Sequence, residues 1–350
     1  MSVYDIVVAA GDGVGQELLD AAILVLNTFT TFKFIYHNIH LGDDYRARTG
    51  SAYNECDMEL YQKYKIMLKG PLTVPSDKSA YIINYNHKKY TSVNQLLRKQ
   101  FELHTNIRPC QSYHHVNTSK FSDVDIVIFR QNTEDVYTGE EHMEDSNNTA
   151  IGIKRITRSA SIAIATAAFD YAVKFNRKSV TAIHKANVCR LTDGLFIECC
   201  QQVSKQYPSI QYNEHLADSC MTKLMINHSS YDILLCPNLY GDLLSDLVAG
   251  MCGSLGLSGA AHIGAEYSLF EPTHGSAPDI AGENQVNPVS MLLCGSMMLA
   301  HLGEVDASHK LDQAIKTVIE SGRNTTADLG GRATTQQMTQ SIIDELQKLL

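Results

Sequence analysis

Two aspartates, Asp242 and Asp246, lie four residues apart in the segment 238–246 (NLYGDLLSD). In a helix, residues at this spacing share one face. Two carboxylates on one face can hold a hard divalent cation such as Mg²⁺ or Mn²⁺, which prefers oxygen ligands and leaves positions open for substrate oxygens. The same pair would also fit an ordinary helix start, where aspartate is favoured by capping and by the helix dipole. Other parts of the chain favour the first interpretation.

A cluster of cationic and polar residues precedes this pair. The segment 91–109 (TSVNQLLRKQFELHTNIRP) contains Ser92, Asn94, Arg98 and Arg108, and Arg130 follows the strand-like run 125–129 (DIVIF). Each arginine alone could be a surface residue. Three guanidinium groups with a hydroxyl and an amide suit a small substrate that carries several carboxylates, because the guanidinium fork pairs with a carboxylate in bidentate fashion.

Two further residues could transfer protons. Tyr137 lies in 132–139 (NTEDVYTG) and Lys185 in 183–187 (IHKAN). A phenol and an amine are side chains that can shuttle protons at mildly alkaline pKa values. Either residue alone would carry no functional information.

With these residues the chain resembles the β-decarboxylating dehydrogenases, the family of isocitrate, 3-isopropylmalate and homoisocitrate dehydrogenases, and most of all the NAD-dependent isocitrate dehydrogenases. The resemblance runs from 11–15 (GDGVG) to 328–331 (DLGG), nearly the whole chain. Its most specific motifs are 92–98 (SVNQLLR), 130–137 (RQNTEDVY), 184–187 (HKAN), 238–246 (NLYGDLLSD) and 271–282 (EPTHGSAPDIAG).

The alternation of strand-like and helical segments predicts an α/β fold with an extensive parallel sheet. Apolar strand-like runs occur at 3–9, 65–68, 126–129, 179–183 and 233–236, and helical patterns at 16–29, 159–174 and 193–204. The resemblance implies two domains with a cleft between them. Residues 1–109 and 255–350 would form a large domain, and residues 110–254 a small one.

The turn 11–15 (GDGVG) follows a strand and precedes a helix, but Gln16 stands where a dinucleotide fingerprint needs its third glycine. A tight glycine turn is therefore the better interpretation. The resemblance implies a non-classical NAD site in the loop 271–282 and beyond, formed by Glu271, His274, Gly275, Ser276, Ala277, Asp279, Ile280 and Asn287.

Asp279 predicts NAD as the cofactor, because its carboxylate can accept hydrogen bonds from ribose hydroxyls and repels a 2′-phosphate. Related NADP enzymes typically carry Lys-Tyr where this chain has Asp279 and Ile280. Arg332, a basic residue expected near the adenosine, would weaken this preference.

The resemblance also implies a mechanism. Asp242 and Asp246 would bind Mg²⁺ or Mn²⁺ together with Asp218 of a neighbouring subunit, so that each active site needs two chains of a homodimer or higher oligomer. Lys185, also from the neighbour, would take the substrate hydroxyl proton while hydride passes to NAD⁺. Loss of CO₂ would leave an enol, which Tyr137 would protonate.

Ser92 and Asn94 favour isocitrate as the substrate, since in isocitrate enzymes they hydrogen-bond the extra carboxylate. Facing the isopropyl group of 3-isopropylmalate, two unsatisfied polar groups would cost about 1–3 kcal/mol each. Homoisocitrate, one methylene longer, stays an alternative. A non-catalytic regulatory subunit of a heteromeric isocitrate dehydrogenase is the alternative from another class, although such subunits usually lose residues that this chain retains.

Composition limits the possible partners. The 350-residue chain has a net charge of −9, which argues against nucleic acid and anionic membranes as partners. Nine cysteines without a C-x-x-C pair indicate reduced thiols inside a cell. We expect the mitochondrial matrix in a eukaryote or the cytoplasm in a bacterium as the location of the protein.

The segment 71–91 is about ten residues longer than the family pattern. A loop of this length predicts a lid or an interaction surface.

Overall fold

The computed structural model describes residues 1–73, 82–114, 116 and 118–350. Its strands are β1 (Ser2–Ala9), β2 (Phe32–Ile39), β3 (Ile66–Lys69), β4 (Ile83–Tyr85), β5 (Lys88–Tyr90), β6 (Thr105–Gln111), β7 (Asp125–Gln131), β8 (Glu141–Glu144), β9 (Thr149–Gly152), β10 (Ser179–His184), β11 (Gln211–Leu216), β12 (Ile233–Cys236), β13 (Gly259–Ile263) and β14 (Ser268–Pro272).

The α-helices are α1 (Gly15–Leu26), α2 (Asp43–Thr49), α3 (Glu55–Tyr64), α4 (Val93–Gln100), α5 (Arg158–Lys174), α6 (Thr192–Ser204), α7 (Ala217–Asn227), α8 (Asn238–Cys252), α9 (Val289–His301), α10 (Val305–Ser321) and α11 (Thr335–Leu349). Short 3₁₀ helices lie at Val136–Thr138, Asp145–Asn147, His228–Ser230, Leu255–Leu257, Pro278–Ile280 and Ala327–Leu329.

Ten strands form one mixed sheet in the order β11-β10-β12-β7-β6-β13-β14-β3-β1-β2. The four strands from β11 to β7 are parallel to one another, and so are the four from β14 to β2. Antiparallel pairs of β6 with β7, β6 with β13 and β13 with β14 join the two groups. The predicted α/β class with a large parallel component is confirmed.

Helices cover both faces of the sheet, which explains why its inner strands are apolar throughout. At one end α5 and α6 pack on one face, while α7 and α8 pack on the other. At the other end α1, α9, α10 and α11 cover one face, while α3 and α4 cover the other. Every residue of β12 is buried as a result.

The predicted strand positions agree with the structure to within two residues at each end. The first predicted helix, 16–29, ends earlier, at Leu26. The chain leaves the helix there, and Phe29 stacks on Phe32 with 5.4 Å between ring centroids. The division into two domains, residues 1–109 with 255–350 and residues 110–254, stays a prediction.

The long segment 71–91 falls partly outside the described residues, which omit 74–81. Its last part forms the β4–β5 hairpin.

All nine cysteines are free thiols, and seven of them are buried. Among the described residues, the helices lack the combination of length and apolar character that crossing a membrane requires.

Candidate active site

Asp242 and Asp246 lie on one face of α8, as their spacing predicts. Both face Arg108, whose Nη1 lies 3.6 Å from Oδ1 of Asp242 and 3.9 Å from Oδ1 of Asp246. Gly241 lets the helix approach the sheet, because a Cβ there would lie 2.6 Å from Cγ of Arg130. The carboxylates therefore sit directly over β6 and β7.

Tyr137 belongs to this cluster. Its hydroxyl donates a hydrogen bond of 2.6 Å to Oδ2 of Asp242, and the guanidinium of Arg130 lies 5.0 Å from the centre of its ring. Burial and the hydrogen bond to Asp242 raise the pKa of the phenol to about 12. The phenol is therefore protonated near neutral pH and can act as an acid.

The three arginines converge from three elements. Arg98 comes from α4, Arg108 from β6 and Arg130 from β7, and the last two are almost fully buried. Burial and the charge of Arg108 lower the pKa of Arg130, although Asp242 opposes this shift. The positive charges of Arg98 and Arg108 thus disfavour the charged form of Arg130, and an anionic ligand would relieve this repulsion.

Buried donors in this region lack partners. Nε of Arg98, Nη2 of Arg130 and Nδ2 of Asn106 are buried and donate to no acceptor among the described residues. A buried donor without an acceptor is costly, and native proteins rarely leave one unpaired. An anionic ligand with several oxygens would satisfy these groups.

The two carboxylates differ in environment. Burial raises the pKa of both, but Arg130, Tyr137 and Arg108 outweigh it at Asp242 and lower its pKa. At Asp246, burial and the neighbouring Asp242 prevail over Arg108 and raise the pKa. Their side chains are 34% and 61% exposed, so a divalent cation could reach both, although at Asp242 it would compete with Arg130 and Tyr137 for the carboxylate oxygens. The part of the chain that the structure describes offers no group of three acidic, histidine or cysteine ligands.

Lys185 and Asp218 form a separate pair. Nζ of Lys185 lies 2.6 Å from Oδ1 of Asp218, and Asp193 fixes the backbone amide of Lys185 with a 2.6 Å hydrogen bond. Both residues follow strands, β10 and β11, at the same edge of the sheet where α8 follows β12. No hydrogen bond or ion pair within the described residues links this pair to Asp242 or Asp246.

Ser92 and Asn94 lie at the start of α4. Ser92 is the N-cap, and its Oγ accepts a hydrogen bond of 3.0 Å from the amide of Gln95. Asn94 is half-buried. Sequence reasoning missed Gln95 and Lys99, which bind the backbone of the turn that carries Tyr137. The pattern Ser-x-x-Gln, typical of a capping box, was the available signal for Gln95.

The glycine turn supports the predicted cofactor loop. The amide of Val14 donates to the carbonyl oxygen of Ser276 over 2.9 Å, and a Cβ on Gly13 would lie 2.0 Å from that oxygen. The hydroxyls of Thr73 and Ser276 are 2.7 Å apart. The glycine turn and Thr73 thus hold the loop on its buried side, while Gly275 and Asp279 are exposed to solvent.

The remaining predicted cofactor residues have different surroundings. Nδ1 of His274 lies 2.9 Å from the carbonyl oxygen of Gly275, and burial lowers its pKa. Ala277 has a φ of +37° and precedes the 3₁₀ turn that contains Asp279 and Ile280. The backbone therefore bends sharply at Ala277, just before the exposed Asp279.

Glu271 lies beneath the arginines. Its carboxylate approaches Lys69 at 2.5 Å, His262 at 2.8 Å and Arg98 at 3.4 Å. Burial alone would raise the pKa of Glu271, but Lys69 and His262 outweigh it and hold the pKa well below its usual range. Glu271 thus links the predicted substrate and cofactor segments.

Both polar atoms of the Asn287 side chain form hydrogen bonds within the protein. Its Nδ2 donates to Asp328 over 2.9 Å, and its Oδ1 accepts from the amide of Val289 over 3.0 Å. Its side chain therefore holds the start of α9, and a direct contact with a nucleotide would have to displace one of these bonds.

A groove of about 640 Å³ lies on the reverse face of the sheet, between α5 and the pair α9 and α10. Alternation along β6 separates it from the site, because Ile107 and Pro109 line the groove while Arg108 points to Asp242. The large groove is therefore not the place where the candidate residues meet.

Comparisons with known proteins identify the family. A family description, Isocitrate/isopropylmalate dehydrogenase, matches residues 5–346. The mitochondrial catalytic subunit 5 of NAD isocitrate dehydrogenase from Arabidopsis thaliana is 40% identical over 96% of this chain and 87% of its own length. Homoisocitrate dehydrogenase from Methanocaldococcus jannaschii is 37% identical over 98% of both chains.

The crystal structure of isocitrate dehydrogenase from Methylococcus capsulatus is similar throughout. It has a TM-score of 0.90 and 37% identity, and the match covers 98% of this chain and 99% of the other. The predicted resemblance and the predicted fold are confirmed. The chain belongs to the isocitrate/isopropylmalate dehydrogenase family.

Proposed function

We propose that this protein is a metal-dependent, NAD-dependent isocitrate dehydrogenase that converts isocitrate to 2-oxoglutarate and CO₂. The observation that carries the proposal is the convergence of Arg98, Arg108 and Arg130 beside Asp242 and Tyr137, where buried donors find no acceptor among the residues that the structure describes. A small substrate with three carboxylates fits three convergent guanidinium groups that have donors to spare.

Ser92 and Asn94 support isocitrate over 3-isopropylmalate, because both are polar and begin the helix that carries Arg98. A hydrocarbon group facing them would leave their polar atoms unsatisfied. Homoisocitrate is the second candidate, since a relative with that name is 37% identical over almost the full length.

Asp242 and Asp246 would hold Mg²⁺ or Mn²⁺, with Asp218 of a second copy as the third carboxylate. When bound, the cation would supply Lewis-acid polarisation of the substrate hydroxyl and of the carbonyl formed from it. The arginines would orient the carboxylates, and Tyr137, protonated and held by Asp242, would deliver a proton to carbon after CO₂ has left.

Lys185 would remove the hydroxyl proton while hydride passes to NAD⁺, acting in the site of a second copy of the chain. The segment that follows Lys185, the helix α7 that contains Asp218, and α8 support such an assembly, because they expose large apolar side chains. They are Val188 (68%), Leu191 (88%), Met225 (51%), Ile226 (78%) and Leu243 (52%). A homodimer or higher oligomer would cover them.

NAD would bind at the exposed loop above the glycine turn, with Asp279 directed to the ribose hydroxyls and Glu271, His274, Gly275, Ser276, Ala277, Ile280 and Asn287 shaping the site. The name of the Arabidopsis relative, an NAD enzyme of mitochondria, supports this cofactor.

We propose an intracellular location, in the mitochondrial matrix of a eukaryote or in bacterial cytoplasm. The cleft would lie between residues 1–109 with 255–350 and residues 110–254.

The alternative from another class is a regulatory subunit without activity. It is the weaker candidate, because Tyr137, Lys185, Asp218, Asp242 and Asp246 are all present. The purified chain distinguishes the two when it is assayed alone.

The decisive test is NADH formation, followed at 340 nm, with Mg²⁺ or Mn²⁺. The assay compares isocitrate, homoisocitrate and 3-isopropylmalate, and NAD⁺ with NADP⁺. We expect turnover only with a metal and fastest with isocitrate and NAD⁺. Faster turnover of homoisocitrate would reassign the substrate, and no turnover with any combination would favour the regulatory subunit.

A further inference from the structure

We infer that Gln95 is a positioning residue, which fixes the backbone beneath Tyr137 and thereby ties the tyrosine to the helix that receives the substrate. The inference rests on the proposed function, since it assigns Gln95 a role in the same reaction. Gln95 itself is placed in neither the substrate site nor the catalytic machinery.

Both polar atoms of the Gln95 side chain are used. Oε1 accepts a hydrogen bond of 2.7 Å from the amide of Thr91, and Nε2 donates one of 2.9 Å to the carbonyl oxygen of Tyr137. In a capping box, the third residue of the helix binds the amide of the N-cap itself. Here it binds the amide one residue earlier, and its other end is free to reach Tyr137.

The turn that carries Tyr137 has little stabilisation of its own. It is a single 3₁₀ turn, Val136–Thr138, between Asp135 at φ +71° and Gly139 at φ +72°. Oδ1 of Asp135 caps the amide of Val136 over 2.9 Å, but the backbone bonds of the turn, from Thr138 to Asp135 and from Gly139 to Val136, are long at 3.4 Å and 3.3 Å. Its geometry therefore depends on contacts from outside.

Lys99 provides a second contact one helical turn further along α4. Its Nζ donates a 2.8 Å hydrogen bond to the carbonyl oxygen of Thr138, and burial lowers its pKa. Space for this arrangement comes from Gly139, since a Cβ there would lie 3.3 Å from Nε2 of Gln95. Two successive carbonyls of the turn are thus held by one face of α4.

These contacts join α4, which begins with the proposed substrate residues, to the turn that carries the proposed proton donor. Ser92 and Asn94 begin α4, Gln95 and Lys99 hold the turn, and Asp242 holds the phenol from the opposite side. A displacement of α4 moves the tyrosine backbone while its hydroxyl stays bound to α8. Because proton transfer needs hydrogen-bond geometry, the loss of this link should slow catalysis more than it weakens substrate binding.

The test uses Gln95→Met, which keeps the length of the side chain and removes both hydrogen bonds. The matched control is Gln340→Met, a helical glutamine whose side chain donates an exposed hydrogen bond to Asp344. We expect Gln95→Met to lower kcat roughly tenfold with KM for isocitrate changed less than about twofold. In Tyr137→Phe, the same substitution should cause almost no further loss, because Gln95 acts through Tyr137.

A kcat equal to that of the wild type, a loss fully additive with Tyr137→Phe, or a fall in Tm well beyond that of Gln340→Met would overturn the inference. Hydrogen exchange provides a readout that needs no turnover. Amides at 136–140 should exchange roughly fivefold faster in Gln95→Met, as expected when one hydrogen bond is lost. Unchanged exchange rejects the role of Gln95, whereas a wild-type protein inactive on isocitrate rejects only the proposed function.

Discussion

The hydroxyl of Tyr137 donates a 2.6 Å hydrogen bond to Oδ2 of Asp242, while Arg130 forms an ion pair with Oδ1 of the same carboxylate. The proposed proton donor therefore binds directly to a predicted metal ligand. This arrangement keeps the phenol protonated, because burial and the nearby carboxylate both oppose its ionisation.

Tyr137→Phe removes the proposed proton donor without removing the ring. We expect kcat for isocitrate to fall by roughly 10²–10⁴ with little change in KM, since general acid catalysis contributes on that scale. Steady-state NADH formation measures both constants. Tyr207→Phe is the matched control, because Tyr207 also donates a 2.7 Å hydrogen bond to an aspartate, Asp170, away from the site. Equal effects of the two substitutions would contradict the role of Tyr137.

Lys185→Met should abolish turnover while leaving Tm close to that of Lys310→Met, which removes an ordinary surface pair with Asp306. If active sites are shared between copies, Lys185→Met and Tyr137→Phe chains should complement each other. Random mixing after dissociation should restore about a quarter of wild-type activity, because half of the dimers would hold one intact site. No recovery after verified exchange of subunits would place Lys185 and Tyr137 in the same chain's site.

Asp279 and Ile280 should determine the choice of cofactor. The double substitution Asp279→Lys with Ile280→Tyr replaces a negative charge with a positive one, so it should lower the ratio of kcat/KM for NAD⁺ to that for NADP⁺ by at least roughly tenfold. Glu283→Lys, which makes the same charge change at an exposed position nearby, is the control. An unchanged ratio in the double variant would exclude Asp279 from ribose recognition.

His262 should make the protein less stable in acid. Burial outweighs the attraction of Glu271 and lowers the pKa of His262 from 6.5 to about 4. Between these values the unfolded chain binds the proton and the folded chain does not, so the free energy of unfolding falls as pH falls from about 6.5 to about 4. Glu271, with its lowered pKa, acts in the same direction at lower pH.

Denaturant unfolding at pH 7, 6 and 5 measures this dependence. His262→Gln should reduce stability at pH 7 and flatten its pH dependence, whereas His87→Gln, at an exposed loop position, should leave the slope unchanged. A slope in His262→Gln equal to that of the wild type would assign the acid sensitivity to other groups.

Gly13→Ala should destabilise the contact between the glycine turn and the predicted cofactor loop. Its φ is +57°, and the added Cβ would lie 2.0 Å from the carbonyl oxygen of Ser276. Gly50→Ala is the matched control, because φ is +82° there but no described atom lies within 4 Å of the new Cβ. Gly50→Ala should cost about 1–2 kcal/mol, and Gly13→Ala clearly more, with weaker NAD binding in calorimetry. Equal Tm values would contradict this role of Gly13.

Much of the fold could be predicted because hydrophobic periodicity is a local property. The buried runs at β1, β10 and β12 and the i, i+4 aspartates of α8 were readable within a few residues of sequence. The end of α1 at Leu26 was not, since the apolar pattern continues to Phe29, which in the fold stacks on Phe32 outside the helix. Helix ends of this kind are decided by what the next segment packs against.

The sequence by itself determined the residue types and spacings of the candidate site: paired aspartates, three arginines and a tyrosine. It also showed that Gln16 replaces the third glycine of a dinucleotide fingerprint. Tertiary structure decided what each one contacts. It buried Glu271 among Lys69, His262 and Arg98, committed Asn287 to Asp328, and brought Gln95 to the backbone of Tyr137, 42 residues away. The physical reason is that spacing fixes which face of an element a side chain occupies, whereas charge pairing and hydrogen bonding depend on groups that only the folded sheet brings together.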